Sequence, residues 1–143
     1  MSGPAARAQE RAIGDTTARE VTRVRLANGP LVRPVLCRVV SMVLARADWP
    51  VERLDDALLV CDTLCAHAPA YACDGRLTFS VHANEREAEL RVADLTADGA
   101  AGLLRDAMLP VVGNVLERVA DRVLVEQDER GESSRLALVL SAS

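Results

Sequence analysis

The sequence predicts an α+β fold, a two-layer α/β sandwich whose mostly antiparallel sheet carries its helices on one face. Three observations predict it. Residues 31–47 and 50–68 repeat apolar side chains at spacings of three and four, the period of a helix with one buried face. Residues 77–92 and 122–140 each hold two alternating segments around a polar turn, the pattern of a hairpin. Strands that come in antiparallel pairs, with helices between the pairs, pack as two layers around one core.

Taken in order, residues 1 to 20 are rich in Ala, Arg, Gly and Glu without period and read as a flexible arm, leaving 21–143 as the domain. Val21, Arg23 and Arg25 alternate with Thr22, Val24 and Leu26, a strand with one apolar face, and Asn28, Gly29 and Pro30 turn the chain. Val35, Leu36, Val39, Val40, Val43 and Leu44 then make a first long helix over 31–47. Pro50 and Glu52 suit the opening turn of a second, because proline's missing N–H costs nothing there and a carboxylate favours the positive helix end. Its stripe is Leu54, Leu58, Cys61, Cys65 and Ala68, with Asp55, Asp56 and Asp62 off it, so Asp62 is placed to look into a cleft.

Pro69 stops that helix and Asp74-Gly75 turns the chain. Leu77, Phe79 and Val81, then Leu90 and Val92, predict two strands around Asn84-Glu85-Arg86, with His82 solvated on the polar face. Asp94 to Gly102 reads as a loop, and Leu103 to Ala120 as a helix bent at Pro110 and Gly113. Arg122–Glu126 and Arg135–Leu140 form the last hairpin.

Composition narrows the function classes. At 143 residues the chain is long enough to bury a core without staples. All 17 basic residues are arginine and the net charge is −4; with no basic stripe interleaved with aromatics, direct nucleic-acid binding is not expected. No apolar run approaches the roughly 20 residues that span a bilayer, and residues 1–15 lack the apolar core of a secretory signal. A cytoplasmic location follows, in which Cys37, Cys61, Cys65 and Cys73 act as small buried hydrophobes. A zinc site of Cys61, Cys65, His67 and Cys73 is disfavoured because its spacing, C-x3-C-x-H-x5-C, is not that of a knuckle. No pattern sets His67 or His82 beside a thiol as a nucleophile pair.

The run from Val51 to Ala68, together with the order of elements over residues 20–141, resembles the GHKL ATPase superfamily (gyrase, histidine-kinase, chaperone and mismatch-repair ATPases), and within it the anti-sigma-factor serine kinases. The resemblance implies the sheet order of that Bergerat-type fold. It also implies an N-box helix whose Glu acts as general base and whose Asn, four residues on, ligates Mg²⁺. Asp62 stands where the Glu is expected and Ala66, which binds no metal, where the Asn is expected. A D-x-G-x-G stretch that holds adenine matches Asp94 alone, with Thr96 and Asp98 in place of both glycines. A Gly-Leu-Gly-Leu-Pro run that opens the next helix aligns with residues 106–110 and keeps only Leu109 and Pro110, while Gly99 and Gly102 lie just upstream.

With losses in all three stretches, the expectation is a regulator that acts by protein contact, a pseudo-kinase without cofactor. Its expected partner is a sigma factor or an antagonist protein, with a homodimer as a further expectation. The expected contacts are Arg33, Arg38 and Arg46 on the first helix and Trp49 at the helix junction, since tryptophan and arginine are enriched at the centre of interfaces. The competing reading is an active ATP- and Mg²⁺-dependent serine/threonine kinase with Asp62 as base and Asp94 on adenine. An α/β domain of unrelated function is the third.

Overall fold

The computed structural model describes residues 21–143; the expected arm over residues 1–20 lies outside the described residues. The chain runs β1 (Thr22–Ala27), α1 (Val32–Arg46), α2 (Val51–His67), a 3-10 turn (Ala68–Tyr71), β2 (Arg76–Ala83), β3 (Glu87–Thr96) and α3 (Gly99–Asp106). It continues through β4 (Met108–Leu109), β5 (Gly113–Asn114), α4 (Val115–Val119), β6 (Arg122–Gln127) and β7 (Ser133–Ser141). Five strands form one sheet in the order β1-β2-β3-β7-β6, antiparallel at every step, and β4 and β5 make a separate two-residue ribbon. The fold is therefore the α+β, two-layer arrangement that the pairing of strands implied.

Alternation sets the core. Val24, Phe79, Val92, Leu136 and Val125 stand in one cross-strand row, and Leu90, Leu138 and Val123 continue the next from Val81. Above these rows α1 lays Val32, Leu36, Val40 and Leu44, four buried residues one turn apart. Burying a leucine of this kind stabilises the fold by about 1.5–3 kcal/mol. α1 ends as its own sequence directs. Asp48 takes φ 60° just past the last turn, and the amides of Asp48 and Trp49 return to the carbonyls of Ala45 and Leu44, the left-handed cap that stops a helix. Among the described residues no helix is long and apolar enough to cross a membrane.

Several local expectations need correction. The buried face of α2 is Ala57, Val60, Cys61, Leu64 and Cys65, whereas Leu54 and Leu58 are only half-buried. α2 packs against both α1 and α4, so its covered arc is wider than one stripe and turned from it. The loop expected over 94–102 is mostly ordered: β3 runs to Thr96 through a bulge between Val92 and Leu95, and α3 starts at Gly99. The single bent helix over 103–120 is instead α3, the β4–β5 ribbon and α4. Pro110 lacks an N–H for a helix, Val111 and Gly113 both take positive φ, and Asn114 starts α4 afresh by accepting from the Glu117 amide at 3.1 Å. His82 is not solvated. Its side chain is 16% exposed and its Nε2 lies 2.9 Å from Oε1 of Glu89, directly across the β2–β3 ladder.

Candidate functional site

The outer face of α1 follows from the same period that buries the inner one. Leu31, Pro34, Arg38, Met42 and Ala45 recur at three and four and are all exposed, with Leu31 at 66% and Met42 at 47%. Exposed single hydrophobics are ordinary; here two large ones share one helix face with Arg38, an amphipathic strip. Arg33 lies off that face, on the side of α1 turned to α2, and its Nε donates to Oδ1 of Asp62 on α2 at 3.0 Å. The hydrogen bond and charge of Asp62 raise the Arg33 pKa above its ordinary value. The pair is exposed, so water screens most of its strength. Arg38 is exposed and has no such partner among the described residues. Arg46 is exposed and borders an open depression of about 310 Å³ shared with Thr22, Val43, Asp48, Ala83 and Glu85.

Trp49 is placed differently from the arginines. It is 7% exposed and belongs to the core, and its Nε1 donates to the Asn84 carbonyl at 2.9 Å. The Asn84 side chain in turn accepts from the amides of Arg86 and Glu87. Trp49 thus ties the α1–α2 corner to the β2–β3 turn and holds the rim of the depression from beneath.

The two acids aligned with a nucleotide site are not brought into contact. Asp62 sits on the helix layer, held by Arg33 and approached at 3.6 Å by the Cys37 thiol. Asp94 lies in the β3 bulge with φ 64°, its backbone carbonyl accepting from the Cys73 amide and its carboxylate from the hydroxyl of Thr78. Thr78 alternates with the buried Leu77 and Phe79, so Asp94 is drawn to the face of the sheet away from α1 and α2. Ala66 is exposed one turn beyond Asp62.

The glycines near the start of α3 are spoken for. A Cβ on Gly102 would stand 2.6 Å from the ring of Tyr71, and one on Gly99 would stand 2.9 Å from Cβ of Leu95 and 3.0 Å from Cβ of Tyr71. The Tyr71 hydroxyl donates to Asp106 at 2.6 Å, closing the tyrosine over α3. At the first turn of α3 the Ala100 amide donates to Oγ of Ser134, which itself donates to the Thr96 carbonyl. A helix-start amide of the kind that holds phosphate in a nucleotide site, that of Ala100, here serves Ser134. Leu109 and Pro110, aligned with a helix-opening run, fall on and just after β4, and the next helix opens only at Val115.

A differential test follows from the geometry. Gly99→Ala is expected to cost about 1–3 kcal/mol, because the Cβ atoms that it meets are fixed to backbone. Gly102→Ala is expected to cost less, since the Tyr71 ring can swing out. Urea unfolding of the two variants checks this, and equal losses would contradict the tyrosine packing.

Tyr71, Ser134, Leu31 and Met42 were not singled out from sequence. For Leu31 and Met42 the outward positions of the helical period held the signal; for Tyr71 and Ser134 there was none. The cysteine cluster also differs from the spacing considered for zinc: Cys61 meets Cys37 of α1, with Sγ atoms 3.4 Å apart. Among the described residues no group of three or more His, Cys, Asp or Glu is arranged to hold a metal ion.

No protein-family model and no curated protein matches the sequence. Among solved structures, the chain is similar to one in the crystal structure of the SiaB-SiaC complex from Pseudomonas aeruginosa, with a TM-score of 0.57 and 10% identity over 84% of this chain and 89% of that chain. At that identity the likeness is one of fold.

Proposed function

We propose that this chain is a cytoplasmic regulator of the anti-sigma-factor type, GHKL-like in fold, that acts by binding a sigma factor or an antagonist protein and carries a lapsed nucleotide site. The observation that carries the reading is the outer face of α1. Leu31 and Met42 supply apolar area to bury, and Arg38 and Arg46 supply planar, permanently charged donors near it, with Arg33 around the helix on the α2 side. Such a strip fits a partner with a complementary apolar groove rimmed by carboxylates, the charges steering encounter and the apolar anchors slowing release. The fold neighbour was solved in a complex of two proteins, which agrees with a fold used for protein contact. A homodimer is part of the same reading.

The lapsed site is supported by three features already described: Asp62 engaged by Arg33, Asp94 engaged by Thr78, and the α3 glycines covered by Tyr71. The alternative, an active serine/threonine kinase, needs Asp62 free as a base within about 3 Å of the hydroxyl it would deprotonate. Thermal unfolding with millimolar ATP or ADP and Mg²⁺ separates the two. A ligand at about 100 times its dissociation constant adds roughly 2.7 kcal/mol, several degrees for a domain of this size. No shift is expected. A shift that Asp94→Ala abolishes would overturn the lapsed site and favour the kinase.

A further inference from the structure

Three thiols converge where α1 crosses α2. Cys37 is half-buried on α1, Cys61 is fully buried on α2 and Cys65 lies one turn beyond it. The Sγ atoms of Cys37 and Cys61 are 3.4 Å apart, on two helices also linked by the exposed Arg33–Asp62 pair and by the Cys37–Asp62 contact. A disulfide needs about 2.05 Å, a closure of little more than an ångström between side chains that already face each other. Cys65, on the same helix as Cys61, is not the partner such a bond would take, and Cys73 lies outside the cluster, against the β3 bulge.

We propose that Cys37 and Cys61 form a reversible thiol–disulfide pair that clips α1 to α2 in response to small-molecule disulfides of the glutathione type. The Cys37 thiolate attacks the disulfide RSSR, forming a Cys37–SR bond and releasing RS⁻. Cys61 then loses its proton and attacks the Cys37 sulfur, forming the Cys37–Cys61 bond and releasing the second RS⁻. In sum, two protein thiols are oxidised, RSSR is reduced to two RSH, and the protons of Cys37 and Cys61 go to the leaving thiolates. Cys37 starts the reaction because it is the accessible member; Cys61 resolves it because nothing else on α2 lies so near.

Burial pushes the Cys37 thiol above its ordinary pKa, and the hydrogen bond to Cys65, together with burial, pushes Cys61 up as well. The pair is therefore slow at neutral pH and set by proximity, with a rate that rises about tenfold per pH unit as thiolate forms. A bond here would also withdraw the Cys37 proton now offered to Asp62, leaving that carboxylate to the Arg33 guanidinium. The cross-link does not depend on the protein-contact reading.

The test is to incubate the full chain with oxidised glutathione at pH 7 and 8 and map peptides without reduction. Trypsin leaves Cys61, Cys65 and Cys73 together between Arg53 and Arg76, so a second cleavage before Asp62 is needed to separate Cys61 from Cys65. The expected product has lost two hydrogens and links Cys37 to Cys61, reverts with a thiol reductant, and forms about tenfold faster at the higher pH. Cys37→Ser, at a half-buried position, should abolish it, and Cys61→Ser should instead hold one glutathione on Cys37. A stable glutathione adduct on Cys37 of the unmodified sequence, a link to Cys65 or Cys73, or no reaction would each overturn the proposal. None of these outcomes bears on whether α1 binds a partner.

Discussion

Replacing Glu89 by Gln is expected to remove about 3 kcal/mol of stability at neutral pH and to flatten the acid limb of the stability curve. Glu89 is 9% exposed on β3 and its carboxylate takes the His82 Nε2 at 2.9 Å on one oxygen and the Arg91 guanidinium at 2.6 Å on the other. Burial is the largest single influence and would raise its pKa. The His82 hydrogen bond and the charge and hydrogen bond of Arg91 together outweigh it and hold the group at about 2 instead of 4.5. A folded pKa below the unfolded one means stability that is fully present above about 4.5 and is lost as pH falls through 2.

Two and a half units correspond to about 3 kcal/mol at 1.36 kcal/mol per unit, and little is lost to solvent screening because the side chain is 11% exposed. Glutamine keeps the shape but leaves Arg91 and His82 facing each other without an anion, the costly way to break a buried pair. Urea unfolding at pH 7, 5, 4 and 3 checks the claim. If the variant keeps the slope of the parent protein between pH 5 and 3, the Glu89 network does not carry the acid sensitivity.

The double variant Arg38→Glu, Met42→Asp is expected to weaken partner binding by at least about 30-fold, the equivalent of a 2 kcal/mol hot spot. Both positions point away from the core, so stability should change by no more than about 0.5 kcal/mol each. Binding is read by titrating purified sigma factors or antagonist proteins against parent and variant, with melting temperature as the control for folding. The competing surface is the β4–β5 ribbon, where Met108, Leu109, Val111 and Val112 are all exposed. Val111 there takes φ 73°, an uncommon state for a β-branched residue. Val111→Asp provides the comparison. If it removes binding while the α1 variant binds normally, the contact surface is the ribbon and the α1 reading fails.

Particular residues show where sequence reading succeeded. Leu36, Val40 and Leu44 bury one turn apart while Val35, Val39 and Val43 beside them are half-buried, and Phe79, Val81, Leu90 and Val92 face inward in register, because a period is a property of the backbone itself: a helix or strand sorts its side chains to faces wherever it lies. Where a chain breaks is also local, and Pro50 and Pro69 mark the start and stop of α2 in advance. The run 103–120 misled because its apolar residues are dense enough to fit a helix, while Pro110, Val111 and Gly113 decide against one through dihedral angles that spacing does not record.

Residue pattern alone specifies β1, the two long helices and the two hairpins, the inward faces of α1, β2 and β3, and the two-layer architecture that such elements can form. The neighbours are settled by tertiary packing. Arg33 meets Asp62 across 29 positions, Tyr71 covers Gly102 and reaches Asp106 across 35, and Cys37 meets Cys61 across 24. Each of these contacts depends on how two elements cross, which is set by the summed packing of the whole core and leaves no periodic trace near either residue. The chemistry that Asp62, Gly102 and Cys61 can perform was therefore invisible until the residues facing them were known.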